Sequence, residues 1–145
     1  MIGDSKGQIK IYNQNSSVNS FQAHSSHING IKQSPFKTNY VATCSSDRTV
    51  KIWNVSSSFE WTLITKYSQH SSYIYDLEWL DNDTLASGSF DKTIKLWSMA
   101  TGQTKRTIKT NSQSVFSLKL LNTNIHLAAG LENGEINIYN INDGN

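Results

Sequence analysis

The stretches "SSDRTVKIWN", Ser45 to Asn54, and "SFDKTIKLWS", Ser89 to Ser98, carry Ser, Asp, Thr, Lys and Trp in the same order at the same spacing. Within them "TVKIW" and "TIKLW" alternate apolar and polar residues with period two and are rich in β-branched side chains, the pattern of a half-exposed strand. The Asp just before each run is turn chemistry, because a short carboxylate can accept hydrogen bonds from neighbouring backbone amides. Each stretch therefore reads as a tight turn leading into a strand.

The likeness extends in both directions. One copy is "AHSSHINGIKQSPFKTNYVATCSSDRTVKIWN" (23–54) and a second is "QHSSYIYDLEWLDNDTLASGSFDKTIKLWS" (69–98). A third, "TNSQSVFSLKLLNTNIHLAAGLENGEINIYN" (110–140), keeps the apolar pattern and loses much of the polar marking, and "GDSKGQIKIYN" (3–13) is a remnant. The aromatic landmarks Tyr12, Trp53, Trp97 and Tyr139 are separated by 41, 44 and 42 residues. A period of about 40 to 45 belongs to a four-stranded propeller blade. Four short runs fit one repeat, at 60–67, 73–79, 84–89 and 93–98, and helical periodicity of any length is absent. The chain reads as all-β, a single β-propeller segment over 1–145, with repeats at about 1–16 (the remnant), 17–54, 60–98 and 103–140.

Composition narrows the function classes. With 37% hydrophobic and 17% charged residues in 145, the chain is ordinary globular material. Its net charge of +2 comes from 13 basic and 11 acidic residues mixed along the sequence, which argues against nucleic-acid binding driven by charge. Only Lys105, Arg106 and Lys109 cluster, on an expected outer strand, where charge keeps an edge soluble. The one cysteine, Cys44, cannot form an internal disulfide and is expected to be a buried small apolar group. The chain is expected to be intracellular, cytoplasmic or nuclear. No signal-peptide core opens it and no apolar run reaches eighteen residues, so no membrane association is expected.

The repeats resemble the WD-repeat family of β-propellers over nearly the whole chain. In that family a His before the innermost strand, a Ser or Thr in the second strand, the turn Asp and the Trp of the third strand form a buried hydrogen-bonded set. The resemblance maps these roles to His24, Thr43, Asp47 and Trp53, and to His70, Ser87, Asp91 and Trp97. The donor and acceptor inventory of such a set can satisfy itself away from water. Departures are visible too. Asn54 and Ser98 follow the tryptophans, so the Trp-Asp dipeptide is missing, and the family's Gly-His appears as Ala23-His24 and Gln69-His70. In the third copy the four positions hold Asn111, Ala129, Asn133 and Tyr139, which cannot build the set.

Family propellers act mostly as platforms for partner proteins, so the resemblance implies a protein-binding scaffold or adaptor that assembles a complex with protein or peptide partners. The alternative is a nucleic-acid- or chromatin-associated propeller subunit. Family contacts concentrate three and five residues after the His and one before the Asp. Carried over, these are His27, Asn29 and Ser46; Tyr73, Tyr75 and Phe90; and Ser114, Phe116 and Glu132. Tyr73 and Tyr75, two apart on one expected strand, should point to the same side with Phe90 near them, and large amphipathic aromatics anchor interfaces. The bland alternative is that Tyr75 and Phe116 pack between blades. His24 and His27 lack further ligands at metal spacing, and the His, Asp and hydroxyl sets recur at repeat spacing where a catalytic site needs one copy, so no metal, cofactor or catalysis is expected.

The count is about three and a half blades, against four to eight in closed propellers. The expectation is a segment of a longer propeller, with Met1 falling inside a turn. The alternative is closure by self-association, the last three strands gaining a fourth from Ser17 to Ala23 of another copy.

Overall fold

The computed structural model describes residues 1–12, 17–122 and 125–143; the end of the remnant repeat, 13–16, lies outside them. Among the described residues the regular structure is strand alone, in four antiparallel sheets. The first joins β1 (Ile2–Gly3), β2 (Gln8–Tyr12) and β3 (Ser17–Gln22). The second is β4 (Ile28–Gln33), β5 (Tyr40–Ser45), β6 (Val50–Val55) and β7 (Trp61–Tyr67). The third is β8 (Ile74–Trp79), β9 (Thr84–Ser89), β10 (Thr93–Ser98) and β11 (Thr104–Lys109), and the fourth β12 (Val115–Leu120), β13 (His126–Leu131) and β14 (Ile136–Asn140).

Each sheet is a meander of consecutive strands, so the outer strand of a blade opens the next sequence repeat. β7, which begins the repeat at 60–98, pairs with β6 of the repeat before it. This offset ties neighbouring repeats covalently and by a ladder of hydrogen bonds. One expectation is corrected here. Ile2 and Gly3 pair with Lys10 and Ile9, so Met1 precedes a strand, and the turn spans residues 4–7.

The core lies between the sheets. Ala42, Cys44, Val50 and Ile52 of the second sheet meet Ile74, Leu77, Leu85 and Trp97 of the third, all fully buried. Ile94, Val115, Leu127 and Ala129 do the same between the third and fourth. The two-residue alternation of β6 and β10 puts an apolar row on a face that only an adjacent blade can cover. Each fully buried aliphatic side chain contributes about 1.5–3 kcal/mol, so the stack of blades is the stabilising unit. Burial also pushes the Cys44 thiol far above its ordinary range, leaving it an inert packing group.

The inner strands β4, β8 and β12 lie side by side without sharing a ladder, and carboxylates supply the missing link. Asp76 accepts from the Leu118 amide at 2.9 Å and meets the Lys32 ammonium at 3.2 Å. Glu78 accepts from the Leu120 amide at 3.1 Å, pairs with Lys32 at 3.1 Å and pairs with Lys119 at 2.7 Å. Burial would raise the Glu78 carboxyl, but the bonds from Lys119, Lys32 and Leu120 outweigh it and hold the group below its ordinary value. One strand thus grips the backbone of the next blade with two acidic side chains.

The turns joining the second and third strands of each blade share a backbone. Gly7, Arg48, Lys92 and Gly134 occupy one position, five residues before the aromatic landmark, with φ of +82°, +68°, +67° and +86°. An added Cβ at Gly7 would stand 2.1 Å from the His24 carbonyl oxygen, whereas at Gly134 nothing lies within 4 Å. Gly7→Ala is therefore expected to destabilise by roughly 3 kcal/mol or more, and Gly134→Ala by roughly 1–2 kcal/mol from backbone strain alone. Urea unfolding of the two variants checks this, and equal losses would contradict the close approach at Gly7.

Candidate functional site

The turns and the loops entering β4, β8 and β12 form one face of the blades, here called the upper face. Its scaffold is the buried polar set beneath it. In the second sheet Asp47 Oδ1 accepts from the Thr49 amide at 3.0 Å and the Thr49 hydroxyl at 2.6 Å, closing the turn. Its Oδ2 accepts from His24 Nδ1 at 2.9 Å and from the Ser25 amide at 3.1 Å, which ties the turn to the loop. A carboxylate only accepts, so Nδ1 carries the proton and Nε2 is left to accept from the Thr43 hydroxyl at 2.7 Å. Thr43 in turn accepts from the Trp53 indole at 2.9 Å.

The third sheet repeats the arrangement with one difference. Asp91 accepts from His70 Nδ1 at 2.7 Å, the Ser71 amide at 3.0 Å and the Thr93 amide and hydroxyl, and His70 Nε2 lies 2.8 Å from the Ser87 hydroxyl. The expected bond from Trp97 is absent: its indole nitrogen is buried without a partner among the described residues. The ring lies flat on Tyr67, 4.6 Å between centroids and 4° between planes, while Trp53 meets Phe21 edge-on at 5.3 Å and 72°. Stacking contributes about 0.5–1.5 kcal/mol, and it sets the indole orientation here in place of the hydrogen bond. Ser87 also lacks the γ-methyl that restricts the rotamer of Thr43.

In the fourth sheet Asn133 keeps the turn half of the pattern, its Oδ1 accepting from the Glu135 amide at 3.1 Å. Asn111 stands exposed where the His would be, and Ala129 and Tyr139 are buried apolar partners. Asn133 therefore does not tie the turn to the loop as Asp47 and Asp91 do.

Among the surface residues, each blade makes the same backbone bond across the loop and turn: Ser46 to His27, Phe90 to Tyr73 and Glu132 to Ser114, at 2.9, 2.9 and 3.0 Å. Asn29, Tyr75 and Phe116 each occupy a β-bulge at the start of the inner strand, where the register slips between Ile28 and Gly30, Ile74 and Asp76, and Val115 and Ser117. Bulges re-aim a side chain. The expectation that Tyr73 and Tyr75 lie two apart on one strand is corrected accordingly, since Tyr73 precedes β8 and Tyr75 is the bulged residue. The period-two rule cannot detect such an insertion, because it depends on the partner strand.

The structure gathers Tyr73, Tyr75, Phe90 and Phe116 into one aromatic cluster. Tyr73 and Tyr75 each lie 6.4 Å from Phe90, and Tyr75 lies 4.7 Å from Phe116 across the blade junction. Tyr75 is half-buried and does bridge the blades, while Tyr73, Phe90 and Phe116 remain 50%, 42% and 43% exposed. Asn29 is spent otherwise, donating to the Ser46 hydroxyl at 3.0 Å and to the Ile74 carbonyl of the next blade at 2.8 Å. Ser114 is corrected: it is fully buried and donates to Glu132 at 2.7 Å, so it holds that carboxylate and faces no partner. His27 is exposed.

Four-stranded antiparallel meanders stacked face to face, pinned by a His, Asp and hydroxyl set beneath a loop-and-turn surface, define β-propeller blades. The WD domain, G-beta repeat family matches residues 15–54 and 61–98, and the chain belongs to that family, WD40. Over 78 residues it is 35% identical to nucleoporin SEH1 of Bos taurus and 33% identical to nucleoporin SEH1 of Homo sapiens, in each case over 52% of this chain and 22% of that protein. Among solved structures it resembles the WD40 β-propeller domain of Doa1, with TM-score 0.83 at 27% identity over 99% of this chain and 47% of that one. It also resembles the computationally designed protein Ika8, with TM-score 0.79 at 25% identity over 99% and 43%. The chain thus spans less than half of either solved chain, and its match about a fifth of the SEH1 proteins.

Two acid responses follow from the buried sets. Burial holds the His24 imidazole below its ordinary 6.5 in spite of the adjacent Asp47. Below that pH the unfolded chain binds the proton more readily, so stability falls as pH drops through 6.5. For Asp47 and Asp91 burial acts upward, but the bonds from Thr49 to Asp47, and from His70 and Thr93 to Asp91, hold both carboxyls below their ordinary 3.8. Their contribution is complete above 3.8 and is lost as pH falls below it. Unfolding measured from pH 7.5 to 3 is expected to show both steps, and His24→Gln to shrink the first; an unchanged first step would contradict a buried neutral His24. At neutral pH Asp91→Ala is expected to cost several kcal/mol, about 1–3 kcal/mol for each orphaned group, and Asn133→Ala under about 1 kcal/mol.

Proposed function

We propose that the chain is a protein-binding scaffold, a rigid propeller platform that holds partner proteins on its upper face. The observation that carries this reading is the aromatic cluster of Tyr73, Tyr75, Phe90 and Phe116, three of whose members stay substantially exposed on a surface pinned from below. Exposed aromatics on a rigid base are the residue types that anchor interfaces at little entropic cost. His27 and Ser46 of the second sheet and Glu132 of the fourth hold the corresponding loop and turn positions on either side. Membership in the WD40 family supports the same reading, and the name nucleoporin, borne by the SEH1 relatives, supports a place in an intracellular assembly, cytoplasmic or nuclear. No helix of the described residues is long and apolar enough to cross a membrane.

Catalysis has no support in the His, Asp and hydroxyl sets. Ser87 and Thr43 are fully buried, and both nitrogens of His24 and His70 are already bonded, so neither set offers a free nucleophile and base. For the nucleic-acid alternative, two of the three basic residues clustered on the outer strand are held in internal contacts. Lys105 pairs with Asp83 at 3.1 Å and donates to Thr84 at 2.7 Å, and Arg106 donates to the Asn142 carbonyl at 2.5 Å.

Tyr73→Ala is expected to weaken binding of a partner isolated with the wild-type chain by about 2 kcal/mol or more, and to change folding stability by less than about 0.5 kcal/mol. Replacing Lys105 and Arg106 by Ala should leave that affinity nearly unchanged. Calorimetry on the purified partner decides. Loss of binding on the edge variant with retention on Tyr73→Ala would move the interface to the rim.

A further inference from the structure

At the top of the second sheet lies a cleft of about 340 Å³ lined by Asp47, Arg48, Thr49, Lys66, Ser68 and His70. Several of these groups are already committed. Both Asp47 oxygens accept from the turn and from His24 and Ser25, the Thr49 hydroxyl donates to Asp47, and both ring nitrogens of His70 are bonded. What remains is the Arg48 guanidinium, the Lys66 ammonium and the Ser68 hydroxyl, and among the described residues no hydrogen bond or ion pair reaches any of them. Two of the three are cations that only donate.

A second observation, independent of the cleft, comes from the strand pairing. Lys66 on β7 stands directly opposite Lys51 on β6. Like charges in that position are destabilising. The other blades avoid the clash: Lys95 stands opposite Thr107 and donates to it at 3.1 Å, and Lys10 stands opposite Ser20 and pairs with Asp4 at 3.3 Å. Burial and the neighbouring Lys66 hold the Lys51 ammonium below its ordinary value, and that ammonium donates to the Ala23 carbonyl. One blade of three therefore carries a like-charge pair at the edge of the open donors, offset only in part by the Asp47 carboxylate. Departures from local consistency of this kind mark functional positions.

We propose that this cleft binds an oxyanion, held by Arg48, Lys66 and Ser68, and that the anion is a carboxylate or phosphate group carried by a segment of the protein partner. The source of the anion rests on the platform reading above; the site itself does not. A partner anion would complete the donors left open in the cleft and neutralise the Lys51 and Lys66 pair. It would also give the face a polar anchor beside the aromatic one.

Small anions test the site without any partner. With the full chain labelled for amide NMR, inorganic phosphate and acetate are titrated separately, each against sodium chloride at matched ionic strength. The expected result is a saturable shift of the Arg48, Thr49 and Ser68 amides with phosphate. Saturation with acetate as well assigns carboxylate chemistry, and saturation with phosphate alone assigns a phosphorylated segment. In Arg48→Gln/Lys66→Gln the dissociation constant should rise roughly tenfold or more, the factor for one lost charge-assisted hydrogen bond. Lys66→Thr, which copies the third sheet, should raise the melting temperature in chloride and reduce the phosphate response. Shifts that grow linearly without saturating, that persist in the double variant, or a lowered melting temperature of Lys66→Thr would each overturn the proposal. Because the probes are small ions, failure here leaves the aromatic interface untouched, and failure of Tyr73→Ala leaves this site untouched.

Discussion

The turn aspartate has two oxygens and uses them in two directions. Oδ1 of Asp47 and of Asp91 closes the turn on its own amides, and Oδ2 reaches out to a histidine and to the amide of the following serine. The first bond is local and needs only a short acceptor. The second crosses twenty or more residues and fixes where the chain re-enters the blade. Removing the carboxylate would free the loop and strand the imidazole, hydroxyl and backbone groups it satisfies, in a region where water cannot replace it. Everything displayed above, from the backbone bond between Phe90 and Tyr73 to the aromatic cluster, sits on that joint.

Two kinds of interaction then hold the blades to one another. Apolar rows from β6 and β10 supply non-directional burial against the next sheet, and the β8 carboxylates supply direction. Asp76 and Glu78 cap amides of β12 on one side and hold Lys32 of β4 on the other. With no ladder between inner strands, these bonds set the height of one blade against the next. That height brings Phe116 within stacking distance of Tyr75. The aromatic surface is therefore a property of the junction between two blades and belongs to neither alone.

Much of this was legible in the sequence. The Asp and Trp spacing, the period and the alternation located β9 and β10 at 84–89 and 93–98, and the residue types of the buried sets were readable because donors and acceptors must balance out of water. What escaped depends on partners distant in the chain. The bulges at Asn29, Tyr75 and Phe116 arise only when a strand is laid against its neighbour, so alternation wrongly placed Tyr73 and Tyr75 on one regular strand, although Phe90 does meet both. Ser114 is buried with its hydroxyl bonded to Glu132, and the ring of Trp97 stacks on Tyr67 of the preceding sheet. The Lys32, Asp76, Glu78 and Lys119 network gave no local signal, since each of those residues alone reads as an ordinary strand-surface charge.

Ser25, Ser71 and Ser112 occupy one position in three successive blades, just after His24, His70 and Asn111, and all three are exposed. The first two donate their amides to Asp47 and Asp91, and Ser112 has no such partner among the described residues. Native-state hydrogen exchange on these amides tests the clamp most directly, because all three are exposed and the carboxylate bond is present at the first two and missing at the third. The account predicts that Ser25 and Ser71 exchange only through large openings of the blade, with protection near that of the core strands, while Ser112 exchanges nearly as an unstructured amide does. Equal exchange at the three serines would contradict it.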